Sequence, residues 1–509
     1  MKNFKSFTMK KYLKIILSFV LIIGCTDNFL DETNPNTMTP DQFWQNEGDA
    51  ISAIVGAYSP LSNIFNHGRI FTGITHVLSD AVRQSGDFSY AASVFNLTPP
   101  QGNSHRNGWE EYWKVIFRTN NVLEFVPDIE MDSALKDKIL GEALFLRAYA
   151  YFNLVHYFRN IPLVTAPAKS LEETQQPQVE PSKVYDQIKA DLTSAIGKLP
   201  NSWDDDNKGR VTAGSAGALL GKVHLYLEEW TSASAALKKV IDGDYGTYDL
   251  DPDYSNNFKE SGENNIESLF EIQFDNTGAW TAGWGADVPS TARYYSFAFD
   301  LSKGQVNSWV LDLFLEEPTV NGDIDPRAYS TIVWDFPDAM SFGTPFADKY
   351  ADQLSDNPKY AVGAKYVFPN DDGSAAPGMT SHAVNKKIIR YADVLLMYAE
   401  AENEANGPTT AAHDAINKVR ARATMADLDA SLTKDQFREK VRRERVLELT
   451  LEDLRQIDLM RWGQYPQRIL DNPEFRNGNL FYVQGREYFP IPQVEVDTNP
   501  NIKQNPGYN

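Results

Sequence analysis

Two segments of the sequence combine flat aromatic rings with amide, guanidinium and carboxylate groups. Sugars present C–H-rich faces and hydroxyl groups, so a sugar site pairs aromatic rings with fixed hydrogen-bonding groups. The first segment runs from Asp80 to Trp109 and the second from Trp280 to Phe299. We predict that they bind an oligosaccharide as a set, since any single ring can instead pack within its own loop. The candidate ligand-binding residues are Asp80, Arg83, Phe88, Tyr90, Asn96, Trp280, Trp284, Arg293, Tyr294 and Tyr295.

Signals for catalytic or metal chemistry are weak in this sequence. The 69 acidic residues guarantee carboxylate pairs, so such pairs do not by themselves indicate glycoside hydrolysis. The seven histidines form no H-E-x-x-H motif, and residues 217–222 lack the first glycine of a phosphate loop. Residues 204–209 resemble a calcium loop, but Lys208 stands at a ligand position and Ser215 replaces the closing glutamate. We therefore predict no enzyme activity and no cofactor, with an adventitious calcium left open.

Cys25 is the single cysteine of the 509 residues and follows a short apolar run from Ile15 to Ile23. That run is far shorter than the roughly 20 residues that cross a bilayer, and five lysines precede it. Gly24 before Cys25 resembles the lipobox of bacterial lipoprotein signals. We predict a signal peptide over residues 1–24, acylation of Cys25, and a flexible tether over residues 25–48. The alternative is an ordinary signal peptide with an incidental cysteine.

The net charge excludes some partners. The whole chain carries a formal charge of −21, and residues 1–24 contain five lysines but no acid, so the mature chain is more negative still. Such a field repels nucleic acid and anionic lipid headgroups, so we predict no nucleic-acid partner. With one cysteine, no disulfide forms within the chain, and the fold depends on the burial of its core.

Apolar residues recur at helical spacing in several blocks. The blocks cover residues 139–157, 184–199, 216–230, 233–241, 394–405 and 412–419. Between about residues 244 and 385, Gly, Pro, Asp and aromatic residues dominate, with strand-like fragments such as Ser268 to Phe274. We predict a mainly α fold, in which a helical scaffold carries a long loop-rich insertion.

The C-terminal part contains the most specific motifs. They lie at residues 389–401, 416–423, 442–449, 453–463 and 489–492. Together with the lipoprotein signal and earlier matches such as Leu146–Tyr149 and Gly322–Arg327, they resemble the SusD/RagB family of outer-membrane nutrient-binding lipoproteins. The resemblance covers essentially the whole mature chain.

The resemblance implies a tetratricopeptide-like helical hairpin scaffold that forms one SusD-like domain over residues 49–509. It also implies loops that hold the ligand, and a SusC-like TonB-dependent transporter as the partner over which the protein acts as a hinged lid. Asp27, Asp31 and Glu32 resemble the acidic signal that sends such lipoproteins to the cell surface. The expected location is therefore the outer membrane, lipid-anchored and exposed at the cell surface.

Several alternatives stay open from the sequence. The ligand is an oligosaccharide in the main interpretation and a peptide or glycopeptide in the first alternative, with a lipid-anchored glycosidase or a scaffold without a small ligand behind them. For Asp80, a structural role and a ligand contact have equal weight. We interpret the charged cluster of Arg442, Arg443, Glu444, Arg445 and Glu448, together with Arg390, Asp393 and Glu400, as structural rather than ligand-binding.

Overall fold

The computed structural model describes residues 43–63, 65–67, 70–84, 92, 95–97, 103–274, 304–341, 343–366, 384–472 and 481–508. The helices of the N-terminal half are α1 (Glu47–Ser62), α2 (Ile70–His76), α3 (Asn103–Phe125), α4 (Ser133–Phe158), α5 (Leu171–Thr174), α6 (Pro181–Ile196), α7 (Ala213–Tyr226) and α8 (Trp230–Ile241). Those that follow are α9 (Ser308–Glu316), α10 (Arg327–Thr331), α11 (Phe346–Lys349), α12 (Ala351–Asp356), α13 (Tyr391–Asn406), α14 (Thr410–Arg422), α15 (Lys434–Leu449), α16 (Arg455–Arg461), α17 (Tyr465–Asp471) and α18 (Gln493–Thr498).

The long helices pack in series. Along the chain, α1 packs on α3, α3 on α4, α4 on α6, α6 on α7 and α7 on α8, and α8 then packs on α13 across the insertion. Helix α13 continues the series to α14 and α15. Each helical block predicted from the sequence is confirmed, and so is the mainly α fold class. Within the described residues, no helix combines the length and the apolar character needed to span a bilayer.

Helix α4 is the central helix of the scaffold. The side chain of Asp132 accepts a hydrogen bond from the Leu135 amide at its N-terminus, and Arg159 ends it in a left-handed conformation with φ of 62°. Every residue from Phe145 to Phe158 is buried. A helix covered on all sides lies inside a protein, so α4 is surrounded by the rest of the helical array.

The strands are short and antiparallel. They are β1 (Val82–Gln84), β2 (Ile161–Pro162), β3 (Gln178–Val179), β4 (Ser268–Ile272), β5 (Gly304–Val306), β6 (Ile332–Trp334), β7 (Met340–Ser341), β8 (Thr344–Pro345), β9 (Ala361–Gly363) and β10 (Lys386–Arg390). The largest sheet has the order β1-β5-β9-β6, and β4 pairs with β10. Strand β4 confirms the strand-like fragment predicted at residues 268–274.

A separate hydrophobic core joins the four-stranded sheet to helix α15. It contains Val82, Val306 and Ala361 from three of the strands, with Leu447 of α15 and Leu451 just beyond that helix. The sheet therefore rests on the C-terminal helical motif, although one of its strands comes from the N-terminal half of the chain.

Buried ion pairs connect that motif to the insertion. Glu448 in α15 accepts hydrogen bonds from Arg327 at 3.0 Å and Arg390 at 2.5 Å, and also from Arg422. Glu444, one turn earlier, accepts from Arg327 at 2.6 Å. Burial alone would raise the pKa of Glu448, but the three guanidinium groups hold that pKa well below its usual value. The structural interpretation of this cluster is confirmed for its buried members.

The remaining charged motif residues divide between the core and the surface. Arg445 donates to Asp393 at 2.8 Å and is buried. Glu400 is buried too, where it pairs with Arg461. Arg442 instead pairs with the exposed Glu439 at 2.7 Å, and Arg443 pairs with the exposed Glu316 at 2.6 Å. Exposed ion pairs contribute little to the free energy of folding, so Arg442 and Arg443 add less to stability than the buried arginines.

Replacing Glu448 with glutamine is expected to destabilise the fold strongly. The amide cannot neutralise three buried guanidinium groups, and breaking a buried pair costs about 3–5 kcal/mol. The free energy of unfolding, measured by urea titration at neutral pH, should fall by about that amount. The matched control is Glu439→Gln in the same helix, whose exposed carboxylate pairs with Arg442 at the surface. Equal stabilities of the two variants would contradict the structural role of Glu448.

Candidate ligand-binding site

Strand β1, which lies in the first predicted segment, pairs with β5, which follows the second predicted segment. Gln84, the last residue of β1, stands opposite Gly304, the first residue of β5. The chain therefore leaves β1 at the same end of the sheet at which it enters β5, and paired strands lie about 4.8 Å apart. The next strand, β9, also ends there, because Gln305 pairs with Val362 and Gly363 follows. The chain therefore leaves β1, enters β5 and leaves β9 at one end of the sheet.

Three of the predicted site residues lie within the described part of the chain. Arg83 lies in β1 opposite Gln305. Asn96 is exposed, between the buried Phe95 and Leu97. Asp80 is buried, with 1 % of its surface exposed. The other candidates lie outside the described residues: Phe88, Tyr90, Trp280, Trp284, Arg293, Tyr294 and Tyr295.

The Asp80 carboxylate is held by two arginines of the C-terminal motif. Arg455 in α16 donates to both of its oxygens, at 2.7 and 2.8 Å. Arg468 in α17 donates to Oδ2 at 2.6 Å. Burial alone would raise the pKa of Asp80, but Arg455 and then Arg468 overcome this effect and lower it below the usual value. Asp80 is therefore a buried anion with both oxygens in use.

The backbone carbonyl of Asp80 is a second point of attachment. It accepts hydrogen bonds from Asn307 Nδ2 at 2.8 Å, from Trp309 Nε1 at 2.7 Å and from Asn472 Nδ2 at 3.1 Å. The Trp309 ring also faces both guanidinium groups, with centroid distances of 5.2 Å to Arg455 and 4.8 Å to Arg468. We call Asp80 and these five partners the Asp80 clamp. Of the two roles left open by the sequence, the contacts of Asp80 support the structural one.

Asn385 holds the chain at Phe274, the last described residue before the second predicted segment. Its Oδ1 accepts from the Phe274 amide at 2.8 Å, and its Nδ2 donates to Gln273 at 2.7 Å and to Glu271 at 3.0 Å. The backbone amide of Asn385 donates a hydrogen bond to the Glu263 carboxylate at 3.0 Å. Phe274, which follows β4, is therefore tied to the start of β10.

Sequence reasoning missed the partners in both attachments. Arg455 lies within the quoted motif 453–463, but its partner Asp80 is 375 residues away. No local spacing connects them. Asn385 carries no motif at all, and its role appears only once β4 and β10 are paired.

The loop that resembles a calcium site uses its side chains within a turn. Asp204 Oδ1 accepts from the amide of Asn207 at 3.0 Å, and Asn207 Oδ1 accepts from Arg210 at 2.7 Å. Across the described part of the chain, no group of three or more His, Cys, Asp or Glu side chains is placed to hold a metal ion.

A surface groove of about 640 Å³ lies on the helical scaffold. Trp109, Trp113 and Phe117 of α3 line it, together with Pro162 and Ile502. Apart from Trp109, these residues lie outside the two predicted segments. Phe117 is 65 % exposed.

Comparison with known families covers both halves of the chain. Residues 28–225 match a family model described as starch-binding associating with outer membrane. Residues 247–508, just over half of the chain, match the model described as the SusD family. The chain belongs to the SusD family. This confirms the resemblance that the C-terminal motifs indicated.

SusD-family relatives match along almost the full length. The SusD-like protein P25 of Formosa agariphila is 26% identical, over 98% of this chain and 99% of its own. A solved SusD superfamily structure from Bacteroides vulgatus is 27% identical, with a TM-score of 0.78 over 91% of this chain and 100% of that one. A structure named laminarin binding SusD-like protein is 29% identical, with a TM-score of 0.70 and the same coverage.

Replacing Asp80 with asparagine is expected to destabilise this SusD-family fold by about 3 kcal/mol, because Arg455 loses its buried anion. Unfolding by urea at neutral pH measures the loss. The matched control is Asp414→Asn, an exposed position in α14. If Asp80→Asn unfolds like the wild type, the Asp80 clamp does not hold the sheet to the C-terminal helices.

Glu263 is expected to make stability depend on pH near neutrality. Burial raises its pKa from 4.5 to about 7, so the folded state binds a proton more tightly than the unfolded state. The free energy of unfolding should therefore fall as pH rises from about 4.5 to about 7. Glu263→Gln should flatten this part of the stability profile, measured by urea unfolding between pH 4.5 and 8. An unchanged slope in the variant would contradict the assignment.

Proposed function

We propose that this protein is a non-enzymatic, surface-exposed binding lipoprotein that captures an oligosaccharide and passes it to a SusC-like TonB-dependent transporter. The observation that carries the proposal is the pairing of Gln84 with Gly304. Because the end of β1, in the first aromatic-rich segment, stands beside the start of β5, which follows the second segment, the pairing supports a ligand site shared by both segments. The Asp80 clamp and Asn385 hold β1 and Phe274 to the scaffold, and a rigid attachment reduces the entropy lost on binding.

Relatives support the ligand class. A SusD-family structure with 29% identity over its full length is named for binding laminarin, a polysaccharide. The rings of Trp280, Trp284, Tyr294 and Tyr295 in the second segment would pack on sugar faces, and Arg83 and Asn96 would bind hydroxyl groups. No cofactor takes part in this function.

The anchoring part of the proposal rests on Cys25 and on the family. Acylation at Cys25 would leave residues 26–48 as the connection between the membrane and the folded body. The family model for residues 28–225 is described as associating with the outer membrane. A lipoprotein at the cell surface can meet a polysaccharide before the transporter does.

The test is a binding screen with the purified mature protein. A glycan array, followed by calorimetry with neutral oligosaccharides that include laminarin and starch fragments, should identify a ligand. Trp280→Ala and Trp284→Ala should weaken its binding by about tenfold each, which corresponds to the loss of an aromatic contact of ~1.4 kcal/mol. Thermal stability should stay unchanged.

Phe117→Ala is the matched control, because it removes an exposed ring from the scaffold groove and should leave affinity unchanged. Binding of peptides but of no glycan would favour the peptide or glycopeptide alternative. Cleavage of a bound glycan by the purified protein would favour the glycosidase alternative and overturn the main proposal. Unchanged affinity in both tryptophan variants would refute the placement of the site.

A further inference from the structure

A turn near the C-terminus presents an aromatic ring to solvent beside one of the predicted ligand-binding residues. Phe481 is 47 % exposed. Arg486 Nη1 donates to the Phe481 carbonyl at 3.0 Å and to the Phe95 carbonyl at 2.8 Å. Because both oxygens bind the same nitrogen, the turn at 481–486 and the segment 95–97 are immediate neighbours. Phe481 and Asn96 therefore belong to one surface.

The outward position of Asn96 is fixed by its neighbours. Phe95 and Leu97 are both buried, and Phe95 adopts a left-handed conformation with φ of 58°. The Phe95 ring packs edge-on against Tyr482 at 5.0 Å and Tyr465 at 6.2 Å. With both neighbours facing inward, the Asn96 amide faces solvent, where its oxygen and its nitrogen can bind a ligand.

The turn that follows Phe481 is equally well held. Arg486 Nε donates to the Gly507 carbonyl at 3.0 Å, and the amide of Gly485 donates to Glu487 at 2.7 Å. Gly485 has a φ of 104°, and a Cβ there would lie 2.5 Å from the Pro506 carbonyl oxygen, so only glycine fits. The backbone of Phe481 is therefore tied to a braced turn through Arg486.

This surface lies close to the Asp80 clamp. Tyr465, which packs on Phe95, donates its hydroxyl to the Leu78 carbonyl at 2.6 Å. Arg468 of the same helix α17 holds Asp80. The contacts run without a break from the base of the first predicted segment through α17 to Asn96 and Phe481. The surface is thus rigidly placed relative to the end of β1.

We propose that Phe481 and Asn96 form an additional sugar subsite, in which the ring packs on the apolar face of one pyranose and the amide binds its hydroxyl groups. The inference rests on the proposed function, because it extends the same ligand site by a C-terminal wall. An exposed ring beside a fixed amide matches what one neutral sugar unit offers. Phe481 therefore helps to set how many sugar units of a bound oligosaccharide the protein contacts.

The experiment measures calorimetric affinity for the longest laminarin or starch oligosaccharide that binds the wild type in the screen. Phe481→Ala should weaken binding about five- to tenfold, and Asn96→Ala should weaken it about threefold. Phe481→Trp keeps a flat ring and should bind at least as well as the wild type. The double variant should lose less than the product of the single losses, because both residues contact one sugar.

Val483→Ala is the matched control, since Val483 is 49 % exposed in the same turn. It should retain wild-type affinity, and all variants should retain the wild-type melting temperature. Wild-type affinity in Phe481→Ala would overturn the subsite while leaving the proposed function intact. No binding of any oligosaccharide by the wild type would instead overturn the proposed function, so the two failures are distinguishable.

Discussion

The rest of this structure depends on how helix α15 neutralises its buried charge. Glu448 is fully enclosed and contacts three guanidinium groups, from Arg327, Arg390 and Arg422. Each of these arginines belongs to a different element, so α10, β10 and α14 must all meet α15 at the same place. A buried charge without its partner is costly, so few other arrangements of these elements are compatible with folding. The ion pairs therefore determine where the insertion joins the helical scaffold.

The placement of α15 then fixes the small sheet and the candidate site. Leu447 and Leu451 pack under the four-stranded sheet, in which β1 and β5 stand side by side. The Asp80 clamp attaches the start of β1 to α16 and α17, which follow α15 in the chain. The C-terminal motif therefore supplies the attachment of the sheet from which the first predicted segment continues.

Local regularities explain which features could be read from the sequence. Helix α4 was predictable because Ile139, Ala143 and Leu146 begin a series of apolar residues three or four positions apart, although the helix is buried on all sides from Phe145 to Phe158. The cluster around Glu444 could be assigned a structural role because its arginine and glutamate residues stand at helical spacing. The partner of Asp80 was not predictable, since Arg455 lies 375 residues away and carries no spacing signal. Phe481 was missed because it lies outside both predicted segments, and only the tertiary structure brings it beside residue 95, next to Asn96.

The sequence by itself determined the mainly α fold class, the positions of the long helices, the family and the two segments that are candidates for the ligand. These features depend on periodicity, composition and motifs, which are properties of neighbouring residues. Only the tertiary structure decided that Gln84 stands opposite Gly304, that Asp80 is a buried anion, and that Arg486 brings Phe481 next to Phe95. Such contacts join residues that are hundreds of positions apart, and they form because buried charges and strand edges must each find a partner.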